Sequence, residues 1–504
     1  MKRIRIRASN RYSESIMLVE PLLAHAQQTP DDMAIQDDAG SYTYRQLAGA
    51  AAAIAAHLSA ITHRDNVGLM LPAGFGYVAS FYGTLLAGKS VVPINFLLGE
   101  REIGHVIADS GIDTILSIPQ LSARLKGIAL KIIDVSQAST APPSAPPPMP
   151  PKSADDRAVL IYTSGTSGLP KGVVLSYQNL QSDVDACIEH AQLQHKHKFL
   201  GVIPLFHAFG MTAMMLAPIQ LAAPVIYMAR FNPTAALNAI RDQSVALVFA
   251  IPSMFAAMAH LKNAAADDFK SIYALICGGE PLPAALAEQY LRRFGVTLYE
   301  GYGLTETSPV VSLNTPQAAR PGSVGRPVPG VQVKIADDQG NTLPAGQNGE
   351  VWLKGKMVTK GYYKLPAETA AAMTGDGYFK TGDLGQLDAD GFLYITGRKK
   401  ELIIVAGEKA APREIEEVLL RHEAVAEAAA VGKKDPTRGE VVVAFVALRE
   451  GQGASADQLR DFCRDQNLVQ WKIPREIFIE KDLPRSSTGK VLKRVLSQRV
   501  NPSA

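Results

Sequence analysis

Four segments concentrate side chains able to do phosphate and acyl chemistry. The first is Tyr162-Thr-Ser-Gly-Thr-Ser-Gly-Leu-Pro-Lys-Gly172. Its glycines let the backbone turn tightly and expose N–H groups, its Ser and Thr hydroxyls add donors, and Lys171 adds a charge, which together suit a polyphosphate. A flexible surface loop has the same composition, and composition alone weighs the two evenly. The second cluster is Gly278-Gly-Glu-Pro-Leu282 with Tyr299-Glu-Gly-Tyr-Gly-Leu-Thr-Glu-Thr307, each after an apolar strand. Beyond the carboxyl ends of parallel strands such residues could hold a base, a phosphate and a metal. A tight turn with Tyr302 in the core and Glu306 in solvent is the competing reading. In the third, Tyr378-Phe-Lys-Thr-Gly-Asp-Leu384 followed by Gly397-Arg-Lys-Lys-Glu401, Asp383 could accept two hydrogen bonds from a vicinal diol such as ribose. Each charge-assisted bond is worth roughly 1.5 to 3 kcal/mol. The fourth, Pro484-Arg-Ser-Ser-Thr-Gly-Lys-Val491, presents Lys490 on a Gly-flexed loop, where a solvated lysine is the ordinary outcome.

The elements that must position these groups are legible in outline. Short β-branched runs at 67–71, 90–94 and 114–118 alternate with helical patterns, which predicts βαβ units and parallel sheet. Seven of the ten residues from Pro142 to Pro151 are proline, which predicts an exposed connector. After Thr315 short strands are joined by Gly, Asn-Gly and Asp-Asp turns, as in an antiparallel or barrel-like subdomain. Beyond Gly397 an amphipathic helix over 413–421 and a β run over 441–448 predict a compact α+β unit. The expected fold class is therefore α/β. A large N-terminal domain, 1–397, carries doubly wound parallel sheets and the β-barrel-like subdomain, and a small α+β C-terminal domain spans 398–504.

Composition excludes several classes. At 504 residues a single small module is ruled out. With 51 Lys+Arg against 48 Asp+Glu, the net charge of +3 is too small to carry phosphate-neutralising nucleic-acid binding. Cys187, Cys277 and Cys463 are odd in number and far apart, so they form neither a disulfide framework nor a zinc pair, and a reducing cytoplasm fits. The uncharged run 208–229 is long enough to span a bilayer, but Pro218, Gln220 and Pro224 interrupt it, and a buried helix followed by a buried strand is the better reading. The basic start, MKRIRIR, lacks the apolar stretch of a signal peptide.

In this order and at these spacings the four segments resemble the adenylate-forming superfamily, which includes acyl-CoA synthetases and the adenylation domains of peptide synthetases. The similarity runs from the helix after Tyr42-Thr-Tyr to Lys490. The resemblance implies an enzyme that makes acyl-AMP from a carboxylic acid and MgATP, releases pyrophosphate, and transfers the acyl group to a thiol. It implies that Thr163, Ser164, Gly165, Thr166, Ser167, Gly168 and Lys171 cradle the β- and γ-phosphates. Gly279, Glu280 and Pro281 would border the adenine, Tyr302 would stack on it, and Thr305 would contact phosphate. Glu306 would ligate Mg²⁺, and Asp383 would bind the ribose with Arg398 beside it. Lys490 would be the catalytic lysine of adenylation, and rotation of the C-terminal domain about a hinge at Lys400 would exchange it for the loop around Gly407. That loop reads Gly407-Glu-Lys-Ala-Ala-Pro412 where many relatives have Gly-Glu-Asn-Val-Tyr-Pro, so the thiol is coenzyme A or the phosphopantetheine of an acyl carrier protein.

The acid is approached by exclusion. No Asp lies between Pro204 and Ala229 to pair with an ammonium, which argues against an amino acid. Pro204-Leu-Phe-His-Ala-Phe-Gly210 resembles acyl and aryl synthetases and implies that His207 sits at the pocket mouth. Phe209, Met211, Met214, Met215, Phe255, Cys277 and Val310 are the candidate pocket wall, apolar and Met-rich, as suits an aliphatic tail; plain core packing is the alternative. The expected substrate is a medium- or long-chain fatty acid, with an aryl acid as the nearest competitor. A carrier-protein-loading ligase and a nucleotide-binding pseudoenzyme are the other hypotheses, the last opposed by the presence of Lys490, Glu306 and Asp383. The basic tail and an apolar entrance permit peripheral membrane contact.

Overall fold

The computed structural model describes residues 18–137, 150–163, 169–485 and 491–502. The basic N-terminal run, most of the proline-rich connector, Ser164, Gly165, Thr166, Ser167, Gly168 and Lys490 lie outside the described residues. Two largely parallel sheets form the first part of the chain. A six-stranded sheet runs in the order Lys131–Asp134, Thr114–Ser117, Asn66–Met70, Ser90–Pro93, Arg157–Thr163 and Lys171–Ser176, the last strand antiparallel. A nine-stranded sheet has at its centre Leu298–Gly303, Ala274–Cys277, Leu247–Ala250, Phe199–Gly201 and Val225–Tyr227. All residues of Leu247–Ala250 and Ala274–Cys277 are buried, as expected of strands covered by helices on both faces.

Helix Phe75–Leu86 is apolar nearly all round and touches strands of both sheets, which explains why it has no polar face. The Tyr77 hydroxyl donates to the Leu205 carbonyl at 3.0 Å and the Thr84 hydroxyl to the Ser80 carbonyl at 2.8 Å, so these two buried polar groups are satisfied. Helix Tyr177–His190 starts with a capping box in which Ser176 and Asn179 exchange bonds of 3.1 and 2.9 Å. The Asn179 amide also donates to the carbonyls of Lys356 and Val358, so one cap joins the six-stranded sheet to a distant segment.

The turn-rich segment forms an antiparallel sheet in the order Gln332–Ala336, Gly349–Lys354, Phe379–Leu387 and Leu393–Arg398. The last sheet pairs Glu408–Ala410, Ile403–Val405, Gly439–Leu448 and Val425–Asp435, with Glu476–Glu480 parallel to Gly439–Leu448, and it has its own core around Ile415, Leu419 and Leu459. The membrane-like run becomes helix Ala208–Met211, a π-helical turn Thr212–Leu216, helix Ala217–Leu221 and strand Val225–Tyr227. Among the described residues no helix is long and apolar enough to cross a membrane.

Strand Leu298–Gly303 is parallel to Ala274–Cys277 through Glu300 and antiparallel to Val310–Leu313 from Gly301 onward. The crossing is tight: a Cβ on Gly303 would lie 1.9 Å from the Pro309 carbonyl oxygen. Gly303→Ala should therefore cost about 1–3 kcal/mol of stability, read as a lower urea midpoint at unchanged slope.

Candidate active site

Described members of the first three segments lie around the end of strand Leu298–Gly303, whereas in the fourth Arg485 pairs with Glu427 and Val491 packs against the core of the C-terminal unit. Asp383, 2% exposed, accepts from the Tyr302 hydroxyl at 2.6 Å through Oδ2 and pairs with Arg398 Nε at 2.8 Å through Oδ1. Asp383 and Arg398 are register partners across two antiparallel strands, so sheet pairing alone sets their approach. Burial and the Asp383 charge push the Tyr302 phenol well up, which keeps its O–H a donor. Thr305 and Glu306 lie on a 3₁₀ turn, Thr305–Thr307, that directly follows. Glu306 Oε1 accepts from the Tyr362 hydroxyl at 3.0 Å, its backbone carbonyl accepts from Thr359 N at 2.7 Å, and burial pushes its carboxyl up.

Thr163 and Lys171 face each other across the hairpin that flanks the first motif. The Lys171 ammonium sits 5.7 Å from the centroid of the Tyr362 ring. On the opposite side, Gly279 adopts φ +83°, a turn conformation that favours glycine, and opens the Gly-Gly-Glu-Pro loop that contains Glu280 and Pro281. The Leu282 N–H donates to Glu300 Oε1 at 3.1 Å, tying this loop to the strand that carries Tyr302. His207 precedes helix Ala208–Met211, its ring 4.7 Å from Phe206, which packs edge-on against Phe96. Lys400 lies on the 3₁₀ turn Lys399–Glu401 just after Arg398, and burial lowers its ammonium, with the Arg398 charge adding to the effect. Gly407, at φ +89°, turns the hairpin between Ile403–Val405 and Glu408–Ala410 and lines a separate open groove of about 860 Å³ with Lys434 and Arg438.

Three readings change. Met211, Met214, Met215, Phe255 and Cys277 are fully buried in the main core, while Phe209 and Val310 are partly buried against it. The expected lining is therefore mostly packed protein, because apolar spacing marks burial without saying against what. The chain also spells G-x-x-x-x-G-K-S from Gly83 to Ser90, the Walker A spacing of a phosphate loop. Here Gly83 is inside helix Phe75–Leu86 and Ser90 begins a strand, the reverse of the strand–loop–helix order of a phosphate loop, and Lys89 Nζ bonds the Arg64 carbonyl at 2.8 Å. Finally, Tyr362 and Glu300 were overlooked. Glu300 could have been found as a lone charge inside an apolar strand, whereas Tyr362 gives no local signal.

The partly buried carboxylate of Glu306 has an oxygen held by a phenol, and it forms no ion pair within 4 Å among the described residues. No group of three or more metal-ligating side chains occurs among those residues. That donor set fits Mg²⁺, which is commonly held by one or two carboxylates and completed by substrate phosphates.

Comparison with known proteins agrees with this geometry. A family described as AMP-binding enzyme matches residues 22–363, and its C-terminal domain family matches 414–490. A long-chain-fatty-acid–CoA ligase of Bacillus subtilis (strain 168) is 33% identical over 94% of this chain and 92% of its own length. A feruloyl-CoA synthase of an Amycolatopsis species is also 33% identical, over 94% and 97%. The structure of O-succinylbenzoate coenzyme A synthetase of B. subtilis with ATP and magnesium superimposes with a TM-score of 0.86 at 29% identity, over 95% of this chain and 99% of that one. The chain belongs to the AMP-binding enzyme family. It is an AMP-forming acid–thiol ligase that works with ATP, Mg²⁺ and coenzyme A.

Burial raises the Glu300 carboxyl from 4.5 to about 7, opposed by the nearby Arg413 charge. An acid whose folded-state pKa is raised contributes stability that is full below 4.5 and lost as the pH climbs through about 7. At about 1.4 kcal/mol per unit the loss is on the order of 3 kcal/mol. Glu300→Gln should show a correspondingly smaller drop between pH 5 and pH 8 in urea unfolding; an equal drop in both proteins would refute it.

Proposed function

We propose that the protein activates an apolar monocarboxylic acid, a medium- or long-chain fatty acid, and transfers it to coenzyme A. The observation that carries this reading is the absence of any Lys or Arg in 204–229, 245–259, 274–279 and 307–314, the segments around the candidate acyl site. A second carboxylate or a sulfonate on the substrate would enter that apolar region without a counter-charge, at high cost. A flexible aliphatic tail would have to displace packed side chains such as Met211 and Met214, whose unbranched chains adapt by changing rotamer. His207 stands beside this region as the candidate mouth residue.

In the first half-reaction an oxygen of the substrate carboxylate forms a bond to the α-phosphorus as the bond to the β-phosphate oxygen breaks, giving acyl-AMP and pyrophosphate. Thr163, Ser164, Gly165, Thr166, Ser167, Gly168 and Lys171 bind the departing phosphates, and Thr305 contacts phosphate. Gly279, Glu280 and Pro281 border the adenine, Tyr302 stacks on it, and Asp383 with Arg398 orients the ribose. Glu306 would hold Mg²⁺, which would supply charge neutralisation at the phosphates. Lys490 stabilises the charge that develops on the carboxylate and α-phosphate. In the second half-reaction the thiol of coenzyme A attacks the acyl carbon, its proton passes to solvent, and AMP leaves. A division into 1–397 and 398–504, rotating at Lys400, exchanges Lys490 for the Gly407 loop between the two steps.

AMP release from MgATP, measured over fatty, aryl and dicarboxylic acids with and without coenzyme A, tests the substrate. CoA-dependent turnover confined to fatty acids supports the proposal. Turnover confined to aryl or dicarboxylic acids overturns it, and pyrophosphate exchange without CoA-stimulated turnover redirects it to a carrier-protein acceptor. Lys490→Ala should slow adenylation by about 10²–10³ while leaving thiolation of supplied acyl-AMP largely intact. Equal damage to both half-reactions would exclude the exchange of roles.

A further inference from the structure

Lys171 and Glu306 carry opposite charges and come from different sheets, yet one side chain touches both. Tyr362 donates its hydroxyl to Glu306 Oε1 at 3.0 Å, and its ring lies 5.7 Å from the Lys171 ammonium. The segment bearing it is fixed from several directions. It runs beside strand Lys171–Ser176, with a bridge between Val173 and Tyr362 and bonds from Val174 N to the Gly361 carbonyl at 3.1 Å and from Tyr363 N to the Gly172 carbonyl at 2.7 Å. Tyr362 N donates to Thr369 Oγ1 at 2.9 Å, and Gly361 is at φ +137° with a hypothetical Cβ only 2.3 Å from the Thr369 side chain.

We propose that Tyr362 is a positioning residue that couples the metal ligand to the phosphate-binding lysine. Its hydroxyl occupies one oxygen of Glu306 and so fixes the carboxylate's orientation, leaving the other oxygen for Mg²⁺. Its ring offers the Lys171 ammonium a face that limits where that charge rests. Outer partners of this kind commonly change metal affinity 10- to 100-fold. The inference rests on the proposed roles of Glu306 and Lys171.

The two functions of the side chain separate by substitution. Tyr362→Phe keeps the ring and removes the hydroxyl, while Tyr362→Leu removes both. Mn²⁺ binding, followed by its electron paramagnetic resonance signal with α,β-methylene-ATP present, should weaken about tenfold in Tyr362→Phe. The KM for the acid should be unchanged and the thermal midpoint should stay within about 2 °C. Tyr362→Leu should in addition weaken binding of the metal-free nucleotide severalfold. Glu306→Gln serves as the control. Wild-type Mn²⁺ affinity in Tyr362→Phe beside a weakened Glu306→Gln overturns the role of Tyr362 alone. Wild-type affinity in Glu306→Gln overturns the metal-ligand reading and the proposal with it. Equal losses of Mn²⁺ and metal-free nucleotide in Tyr362→Phe mark general damage and also overturn it.

Discussion

The burial of the Asp383 carboxylate constrains everything around it. A charge at 2% exposure must be paired, and its partners come from two directions: the Tyr302 hydroxyl at the end of the nine-stranded sheet and the Arg398 guanidinium on the neighbouring strand. Removing one partner of a buried pair typically costs about 3–5 kcal/mol. The antiparallel sheet therefore cannot slide against the nine-stranded sheet without exposing that cost. Arg398 is followed directly by the 3₁₀ turn Lys399–Glu401 that bears Lys400.

Strand Leu298–Gly303 achieves this because it changes partners midway. Through Glu300 it is an interior parallel strand, and from Gly301 it is half of an antiparallel pair. Polar residues thus appear where the parallel sheet ends, without stranding backbone groups. The two buried carboxylates nearby are solved differently. Asp383 has a guanidinium at 2.8 Å, whereas Glu300 has a backbone amide at 3.1 Å and the Arg413 charge from the following unit. The weaker compensation at Glu300 is why its proton affinity rises.

What could be read in advance followed the range of the forces involved. The strand Ala274–Cys277 and the broken apolar run near Met215 are set by local chemistry, and each was legible. The Tyr302–Asp383 and Tyr362–Glu306 bonds join residues 81 and 56 positions apart, and no periodicity encodes such pairings. Motif spacing misleads when its structural context is missing, as Gly83 to Ser90 shows. Apolar spacing at Met211, Met214 and Met215 marked burial correctly but could not distinguish a ligand wall from a core.

The surroundings of Lys400 bear on the proposed rotation. Before it, Lys399 Nζ is bound to Asp338 at 3.0 Å and to Glu350 at 3.1 Å, on the antiparallel sheet. After it, Lys493 binds Glu401 at 3.2 Å and Glu416 at 2.8 Å, within the last unit. Lys400 forms no ion pair within 4 Å among the described residues, so it is the untethered link between two clamped neighbours. Rotation there leaves both clamps whole. The contacts it would break include Lys409 with Asp338 at 3.2 Å, both more than half exposed and of the kind worth about 0–1 kcal/mol, and the partly buried bond from Arg413 Nη1 to the Ile395 carbonyl at 2.6 Å. Clamps this local, one on each side of Lys400, leave the proposed swing a single residue about which to turn.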